Sequence, residues 1–421
     1  MQTIAIIGTG ISGMSAGYFL RGMFDITFYE KEDYAGGHTN TLTVKEGDED
    51  IYIDSAFMVY NEPTYPLLTR LFKELNVETK TTSMSFSVQH LPSGLEYCGT
   101  GFNGLFAQRL NLFNPPYIRM LLEIDRFRKE AIEVLDNPSF SSWTLSRYIR
   151  TKGYSEDFLQ KFLIPMSSAV WSTPVDAMLE FPAESLVRFF NNHRFLSLEG
   201  QLAWRTCVGG SRQYREKLMT AFNPRVWTKR AAVKIKREAG KVTVMDSTGQ
   251  SASYDKIILA CHADEALKLL TDPTVLESSL LSKFPYLVNK ATLHTDERVM
   301  PKLKKVWSSW NNRIENDRLG ASATSTIYWM NSLQGVSKKK NYFVSINDPG
   351  LIDRHKIIWE KNYTHPLFTV ETQEAQPHLH ELNQNRTTFF AGAYFYFGFH
   401  EDGLRAGLEA ARAVAGAEVW P

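Results

Sequence analysis

The sequence predicts an α/β protein built around a Rossmann-like dinucleotide-binding domain, and three observations support this fold class. An apolar strand pattern at residues 4–7 leads directly into Gly8-Thr-Gly10-Ile-Ser-Gly13 and then a helix pattern. The next strand pattern, at 25–29, ends on Glu30, about 20 residues further on. Apolar strand patterns return near the end, at 256–261 and 387–393, and a helix pattern follows at 405–414.

The glycine motif predicts a pyrophosphate site. Gly8 permits a tight turn, Gly10 lets the backbone approach a ligand, and Gly13 lets the helix pack on the sheet. Unpaired N–H groups at the helix start favour an anion, so the predicted binding residues include Ile11 and Ser12. Glu30 is expected to accept hydrogen bonds from a ribose and to repel a 2′-phosphate, which argues against NADP. A turn without a ligand would explain neither the third glycine nor the acid.

Composition excludes several classes of protein. The chain of 421 residues has a formal net charge of +1, so nothing indicates a nucleic-acid partner. Three widely spaced cysteines argue against a disulfide framework and fit a reducing compartment. With no secretory signal pattern and no run of 18 apolar residues, we expect a cytoplasmic protein that does not span a membrane. Its histidines lack the spacing of metal ligands, so no metal is expected.

The middle of the chain alternates between helix and strand patterns. We expect a strand at 51–54, a helix at 64–75, a hairpin formed by 83–88 and 95–98, and mostly helix over 143–190, broken at Pro165, Pro174 and Pro182. Residues 99–135 interleave apolar side chains with arginines. This segment is expected either to lie on a membrane surface or to pack its apolar face on the domain with its charges solvated.

Paired glycines extend the prediction from a nucleotide to a flavin. Gly36-Gly37-His38 follows Glu30 and Lys31, and this spacing resembles the Gly-Gly motif of FAD enzymes of the glutathione reductase and amine oxidase class. Those families usually have arginine where His38 stands. Three further stretches support the resemblance: Trp171-Ser-Thr-Pro174, Tyr328-Trp-Met-Asn331 and Gly398-Phe-His-Glu-Asp-Gly-Leu404.

On these motifs the chain is identified as a member of the flavin amine oxidase-like superfamily. Within it, the chain resembles bacterial NAD/FAD-binding proteins encoded beside cyclopropane fatty acid synthases, and the N-terminal extension of plant cyclopropane synthases. The resemblance implies a discontinuous FAD-binding domain at 1–80, 205–272 and 383–421, and an inserted α+β substrate-binding domain at 81–204 and 273–382.

The resemblance also implies roles for individual residues. It implies noncovalent FAD, since no cysteine follows Cys261 to form a covalent bond to the flavin, and His400 is the alternative attachment point. Besides the glycine loop and Glu30, the cofactor-binding residues would be Lys31, Gly36, Gly37, His38, Val233, Gly392, Gly403 and Leu404. The substrate-binding residues would be Tyr60, Asn61, Trp171, Trp204 and Trp329. The implied partners are a lipid or fatty acyl substrate, a membrane surface and a fatty acyl methyltransferase.

The implied activity is dehydrogenation or oxidation of a methylated or cyclopropane fatty acyl chain by hydride transfer to flavin N5. Such a step needs a base for the second hydrogen, and our candidate is His400, with Tyr394 and Tyr396 as alternatives. Each of these side chains has packing or hydrogen bonding to the cofactor as its alternative role. An amine oxidase, a flavin-dependent lipid isomerase and an accessory protein to a methyltransferase remain alternative functions.

Overall fold

The computed structural model describes residues 1–197, 202–316, 322–384 and 387–420. Parts of the predicted domain ranges, at 198–201, 317–321, 385–386 and 421, lie outside the described residues. The chain forms two large sheets, three small sheets and a helical region. The described residues form two main hydrophobic cores. One surrounds the parallel sheet, and the other lies within the helical region.

A five-stranded sheet, all parallel, forms the centre of the first core. Its strands, in spatial order, are Arg225–Trp227, Phe24–Tyr29, Gln2–Ile7, Lys256–Leu259 and Thr388–Phe390. Ile4 lies between Ile26 and Lys256 in the register. The strands therefore come from distant parts of the chain, and the prediction of a discontinuous Rossmann-like α/β fold is confirmed.

The first and last helices, Ile11–Phe19 and His400–Ala415, pack against each other beside this sheet. A Cβ atom at Gly403 would lie 2.6 Å from Ile11 Cγ2, and one at Gly407 would lie 2.4 Å from the backbone oxygen of Ser12. These separations are far below van der Waals contact, so only glycine fits at either position. The close approach places the starts of both helices at one end of the sheet.

The second large sheet has seven strands. In spatial order they are Ile357–Pro366, Tyr286–His294, Phe343–Ile346, Ser322–Trp329, Trp310–Asn316, Phe86–His90 and Leu95–Cys98. Neighbours are antiparallel except Trp310–Asn316 and Phe86–His90, which are parallel. The predicted hairpin is confirmed, with its first strand displaced toward its C-terminal end.

Smaller sheets and helices complete the fold. The remaining strands are Thr41–Glu46 with Glu49–Asp54, then Tyr60–Asn61 and Thr79–Thr82 on either side of Trp204–Cys207, and the meander Ala232–Glu238, Lys241–Asp246 and Ser251–Tyr254. The other α-helices outside the 143–190 segment are Pro66–Glu74, Gly101–Leu105, Pro115–Glu130, Glu133–Asp136, Arg212–Thr220, Ala263–Leu269, Val275–Leu281, Met330–Leu333 and Val370–Ala375. Among the described residues, no helix combines the length and apolar character needed to cross a bilayer.

The predicted break at Pro165 is wrong. Helix Glu156–Phe158 continues through a π-helical turn, Leu159–Leu163, into Ile164–Trp171. Proline cannot donate to the carbonyl four residues earlier, which belongs to Lys161. The hydroxyl of Tyr97 donates to that oxygen over 2.7 Å, so a distant strand satisfies the group that the proline leaves free.

The other helices of this segment are Leu145–Thr151, Val175–Leu179 and Ala183–Asn192. Pro174 and Pro182 directly precede the last two of these helices, so the predicted breaks at those prolines are confirmed. The three cysteines are free thiols, as expected.

Candidate active site

The glycine loop leaves the first strand at the carboxyl edge of the parallel sheet. Gly8 has φ +98°, and a Cβ there would lie 2.7 Å from the Ala260 oxygen. A Cβ at Gly13 would lie 2.1 Å from the Gly8 oxygen, so both glycines are required by packing. Gly10 differs, since no atom lies within 4 Å of its Cβ position. The Gly10 backbone is therefore open to a ligand, as its predicted role requires.

Glu30 follows the neighbouring strand, and its carboxylate holds the glycine loop through hydrogen bonds. One carboxylate oxygen accepts from the Thr9 N–H at 3.0 Å and the Thr9 hydroxyl at 2.5 Å, and the other accepts from the Glu32 N–H at 2.9 Å. Carboxylate oxygens retain further lone pairs for a ribose. Lys31 points elsewhere and forms an ion pair with Glu265 at 2.7 Å.

Two helix starts meet beside the loop. No side chain caps the first helix at Gly10, so its first N–H groups, including those of Ile11 and Ser12, have no helical or side-chain acceptor. In the last helix, the Gly403 N–H donates to the Phe399 oxygen, and Leu404 is fully buried. The expectation that the Gly403 and Leu404 amides face a cofactor is therefore wrong, because both residues belong to the packed helix.

The paired glycines place His38 beside the glycine loop. Gly37 has φ +57°, and its Cβ position lies 3.1 Å from Gly10 Cα. The Gly36 N–H donates to the Thr9 hydroxyl at 3.0 Å. The Gly-Gly turn thus packs directly on the open backbone of Gly10, and the following side chain enters the same region.

His38 forms a buried pair with His365 of the seven-stranded sheet, and their Nε2 atoms are 3.1 Å apart. The Lys290 N–H donates to Asn347 Oδ1, Asn347 Nδ2 donates to Asn289 Oδ1, and Asn289 Nδ2 donates to His365 Nδ1. This chain of donors leaves the His365 proton on Nε2, which donates to His38. His38 therefore carries its own proton on Nδ1.

Both imidazoles are neutral near pH 7. Burial lowers the pKa of His365 to about 4. Burial and the neighbouring histidines hold the pKa of His38 well below its usual range. An arginine, usual at the position of His38 in the families that the sequence resembles, would add a fixed positive charge here, whereas this pair adds polarity without charge.

His400, the first residue of the last helix, lies on the other side of the same region. Its ring stacks on Phe57 at 3.8 Å, and its Nε2 is 2.5 Å from the Tyr214 hydroxyl. Tyr214 also contacts the Thr39 hydroxyl. Burial lowers the pKa of His400 to about 3, which makes it a weak base at neutral pH, and its role as the base stays a prediction. At neutral pH His400 is an uncharged hydrogen-bonding group.

Four histidines come together here, and we call the region around them the cleft. His38, His262, His365 and His400 pack against protein groups, yet each retains partly accessible surface. The cleft lies where the carboxyl edge of the parallel sheet meets the seven-stranded sheet. His262 stacks on Tyr286 at its edge, with ring centroids 4.3 Å apart.

The two alternative tyrosine bases are placed differently from the prediction. The hydroxyl of Tyr396 donates to Glu409 at 2.6 Å, and Arg405 lies over its ring. Tyr394 is buried against Phe284, and its hydroxyl has no hydrogen-bond partner among the described residues. The two rings therefore form no facing pair.

The predicted substrate residues separate into four groups, of which the first three contain one residue each. Tyr60 belongs to the core, with its hydroxyl on Thr79. Asn61 accepts from the Thr64 N–H and hydroxyl, which fixes a turn and leaves its buried Nδ2 unpartnered within the described chain. Trp329 packs on Trp307 in a separate cluster of the seven-stranded sheet.

Trp171 and Trp204 belong to an aromatic wall that adjoins the cleft. Phe189 stacks on Phe399 at 4.6 Å and on His193 at 3.9 Å, and His193 lies parallel to Trp204 at 6.2 Å. Trp171 contacts Phe399 at 5.9 Å and donates to the Phe397 oxygen. Phe399 directly precedes His400, so the wall continues from the cleft.

Val233 and Gly392 are two further residues that we predicted to bind the cofactor. Val233 is exposed on the first strand of the meander. Gly392 follows the last strand of the parallel sheet, and a Cβ there would lie 2.3 Å from the ring of Tyr394. Packing alone thus explains this glycine.

Sequence analysis did not select Phe57, Tyr214, His262 or His365. Tyr214 follows Gly209-Gly210-Ser211, whose helix-start pattern was visible, but nothing local marks its side chain as part of the site. Glu401 of the Phe-His-Glu-Asp-Gly stretch was also missed. It accepts from the N–H groups of Leu67 and Leu68 and so caps helix Pro66–Glu74.

The residues present fit FAD. The open Gly10 backbone and the uncapped start of helix Ile11–Phe19 would hold a pyrophosphate, and Glu30 would hold a ribose. The cleft between the two sheets, with its neutral imidazoles and the ring of Phe57, suits an aromatic ring system. Fold and site together define an enzyme that binds a dinucleotide at the carboxyl edge of a parallel sheet.

The comparison with protein families identifies this enzyme further. The model for flavin-containing amine oxidoreductases matches residues 11–344. The chain therefore belongs to this family and is a flavin-dependent oxidoreductase. A search of curated protein sequences found no match.

Solved structures share the fold across nearly the whole chain. A putrescine oxidase triple mutant aligns with TM-score 0.68 at 12% identity, covering 99% of each chain. Cyclohexylamine oxidase from Brevibacterium oxydans IH-35A aligns with TM-score 0.67 at 15% identity and the same coverage. A fatty acid isomerase from P. acnes that produces CLA aligns with TM-score 0.67 at 15% identity, covering 96% of this chain and 97% of the other.

Proposed function

We propose that this enzyme uses noncovalent FAD to dehydrogenate or oxidise a fatty acyl chain, methylated or carrying a cyclopropane ring. The observation that carries the proposal is the aromatic wall, whose side chains are uncharged, together with the neutral imidazoles of His38 and His400. An extended apolar wall suits an acyl chain, which offers neither charge nor hydrogen bonds. The modified acyl class itself rests on the sequence resemblance.

Bound FAD would supply the acceptor for a hydride. The chain's own residues would hold the acyl chain against the aromatic wall and exclude water. Neutral His400 is held by Tyr214 and stacked on Phe57, so its first role is to orient and to hydrogen bond. His38 and His365 are already paired with each other, and His365 also accepts from Asn289, so this pair would add fixed uncharged polarity to the site and would not take the substrate's proton.

An amine oxidase is the second candidate, and the family assignment and the two amine oxidases of similar fold favour it. Tyr394 and Tyr396 do not face each other, because Tyr394 packs on Phe284 and the Tyr396 hydroxyl donates to Glu409. The carboxylates near the cleft are engaged with backbone N–H groups, Glu401 on a helix start and Asp402 on Phe399. These contacts weigh against a cationic substrate.

Anaerobic titration of the flavin protein with lipids and amines tests the proposal. Bleaching of the flavin absorbance by a modified acyl lipid, with a new double bond or oxygen found by mass spectrometry, is the expected result. Bleaching by amines alone, with release of ammonia in air, would establish the second candidate. Conversion of a lipid without net oxidation would indicate an isomerase.

A matched pair of variants sharpens the test. Trp204→Ala opens the aromatic wall, and Trp329→Ala opens the separate cluster with Trp307. We expect Trp204→Ala to raise the lipid concentration needed for half-maximal bleaching by about tenfold, the effect of removing one large apolar contact. Equal effects of the two substitutions would contradict the assignment of the wall to the substrate.

A further inference from the structure

A compact lobe at residues 101–122 carries a cluster of exposed apolar side chains. It contains helix Gly101–Leu105, a 3₁₀ turn, Arg109–Phe113, and the first turns of helix Pro115–Glu130. Five of the fourteen large apolar side chains that are strongly exposed in the described chain belong to it: Phe102, Leu110, Leu112, Phe113 and Leu122. Such a concentration marks an interaction surface.

The tip of the lobe is the 3₁₀ turn. Side chains three residues apart eclipse in this conformation, so Leu110 and Phe113 project from the same side. They are 83% and 86% exposed, which makes them protruding groups and not the walls of a groove. A protruding apolar tip fits a soft, deformable surface better than a preformed protein pocket.

The lobe is held firmly, so the tip is a built feature. Arg109 donates to the Asn103 side chain at 2.7 Å and to the Phe106 oxygen at 3.1 Å. The Tyr117 hydroxyl donates to the Leu105 oxygen at 2.6 Å. Phe106 and Tyr117 in turn belong to the helical core. Hydrogen bonds and packing therefore connect the tip to the body of the protein.

The charge of the lobe has one sign. Residues 99–122 contain two arginines, Arg109 and Arg119, and no acidic residue. Arg119 pairs with Glu123 just beyond this range, whereas Arg109 donates to the Phe106 carbonyl oxygen and the Asn103 amide oxygen. A positive charge directly beside protruding apolar groups is the arrangement that binds an anionic lipid surface.

We propose that this lobe docks on an anionic lipid bilayer, with Leu110 and Phe113 inserted among the acyl chains and Arg109 against the head groups. Docking would bring the enzyme to a source of acyl chains, and only this consequence rests on the proposed function. The binding itself requires no flavin chemistry.

Cosedimentation of the flavin-loaded enzyme with vesicles tests the docking. The vesicles contain phosphatidylcholine alone or phosphatidylcholine mixed with phosphatidylglycerol. The variant Leu110→Ser/Phe113→Ser should lose at least about tenfold in partitioning, since each side chain removed from water contributes about that much. The control Val275→Ser/Val288→Ser removes two exposed apolar side chains elsewhere, 88% and 62% exposed, and should bind like the unmodified enzyme.

Charge provides a second, independent measurement. Arg109→Gln should weaken binding to vesicles with phosphatidylglycerol and leave binding to phosphatidylcholine unchanged. Unchanged flavin absorbance and circular dichroism in every variant would show that folding is intact. Equal binding of the lobe variant and the control would overturn the proposal.

The two proposals fail in distinguishable ways. Absence of vesicle binding by the unmodified enzyme would overturn docking and leave the lobe for a protein, such as the methyltransferase. Vesicle binding without flavin bleaching by any lipid would overturn the acyl activity and leave docking intact. Bleaching by detergent-dispersed lipid without vesicle binding would overturn docking and leave the acyl activity intact.

Discussion

Replacing Gly407 by alanine is expected to separate the first and last helices. The new Cβ would lie 2.4 Å from the Ser12 oxygen and 2.2 Å from Ser15 Oγ, so the helices must move apart by about 1 Å to reach van der Waals contact. Overpacking of this kind costs up to about 3 kcal/mol, and alanine regains about 1 kcal/mol of helix propensity. The expected net loss of folding free energy is about 2 kcal/mol.

The helix that moves is the one that follows the glycine loop, so flavin binding should weaken as well. Urea unfolding of the flavin-free protein measures the loss of stability, and fluorescence titration with FAD measures affinity, which we expect to fall by about tenfold for each 1.4 kcal/mol lost at the site. Gly99→Ala is the matched control, because its Cβ position is open. The double variant Ser15→Ala/Gly407→Ala should remain unstable, since the clash with the Ser12 backbone persists.

A Gly407→Ala protein as stable as the unmodified one would refute the packing argument. Rescue by Ser15→Ala would show that the hydroxyl, and not the backbone, sets the helix distance. Both outcomes can be read from the same urea curves.

Three further predictions follow from buried polar groups. In Glu30→Gln, an amide N–H₂ group replaces one carboxylate oxygen and faces a backbone N–H that needs an acceptor. The affinity for FAD, measured by titration, should therefore fall at least about tenfold. The control Glu265→Gln, on the surface, should have almost no effect in the same titration. Burial raises the pKa of Asp402 to about 7, so the folded protein keeps a proton that the unfolded chain releases above pH ~4. The titration of Asp402 should therefore lower the free energy of unfolding by about 4 kcal/mol between pH ~4 and ~7. The urea midpoint of Asp402→Asn should lack this decrease. Parallel pH profiles of the two proteins would contradict the prediction. Tyr214→Phe should cost about 1–3 kcal/mol and shift the flavin absorbance, whereas Tyr148→Phe, in the helical core, should affect thermal stability without a spectral change.

The start of the fold was predictable because its signals are local. Gly8 and Gly10 follow the first strand, Gly13 lies in the first helix, and Glu30 follows the second strand, as their spacing implies. The pairing of the late strand Lys256–Leu259 with Gln2–Ile7 followed from the family resemblance, since periodicity shows a strand and not its neighbour.

The cleft was less predictable because four distant segments build it. His38, His262, His365 and His400 carry no shared motif, and their neutrality depends on burial that only the tertiary structure creates. His400 shows this limit directly, because the sequence marks its segment but gives no sign of the burial that lowers its pKa.

Tertiary contacts also overrode local rules. Proline is a reliable helix breaker in sequence, yet Pro165 remains inside a helix because Tyr97 satisfies the carbonyl of Lys161. Likewise Gly403 was predicted to bind the cofactor, and no role was predicted for Gly407. Only the position of helix Ile11–Phe19 reveals that they permit close packing.

The contact between the first and last helices has a consequence for how the protein is made. During synthesis, strand Gln2–Ile7 can pair with Phe24–Tyr29 early, but its other neighbour, Lys256–Leu259, appears much later. Helix His400–Ala415 emerges later still. The last helix therefore cannot pack beside the glycine loop until translation is nearly complete. Nascent chains should need protection from aggregation over that interval, and flavin capture should follow release from the ribosome.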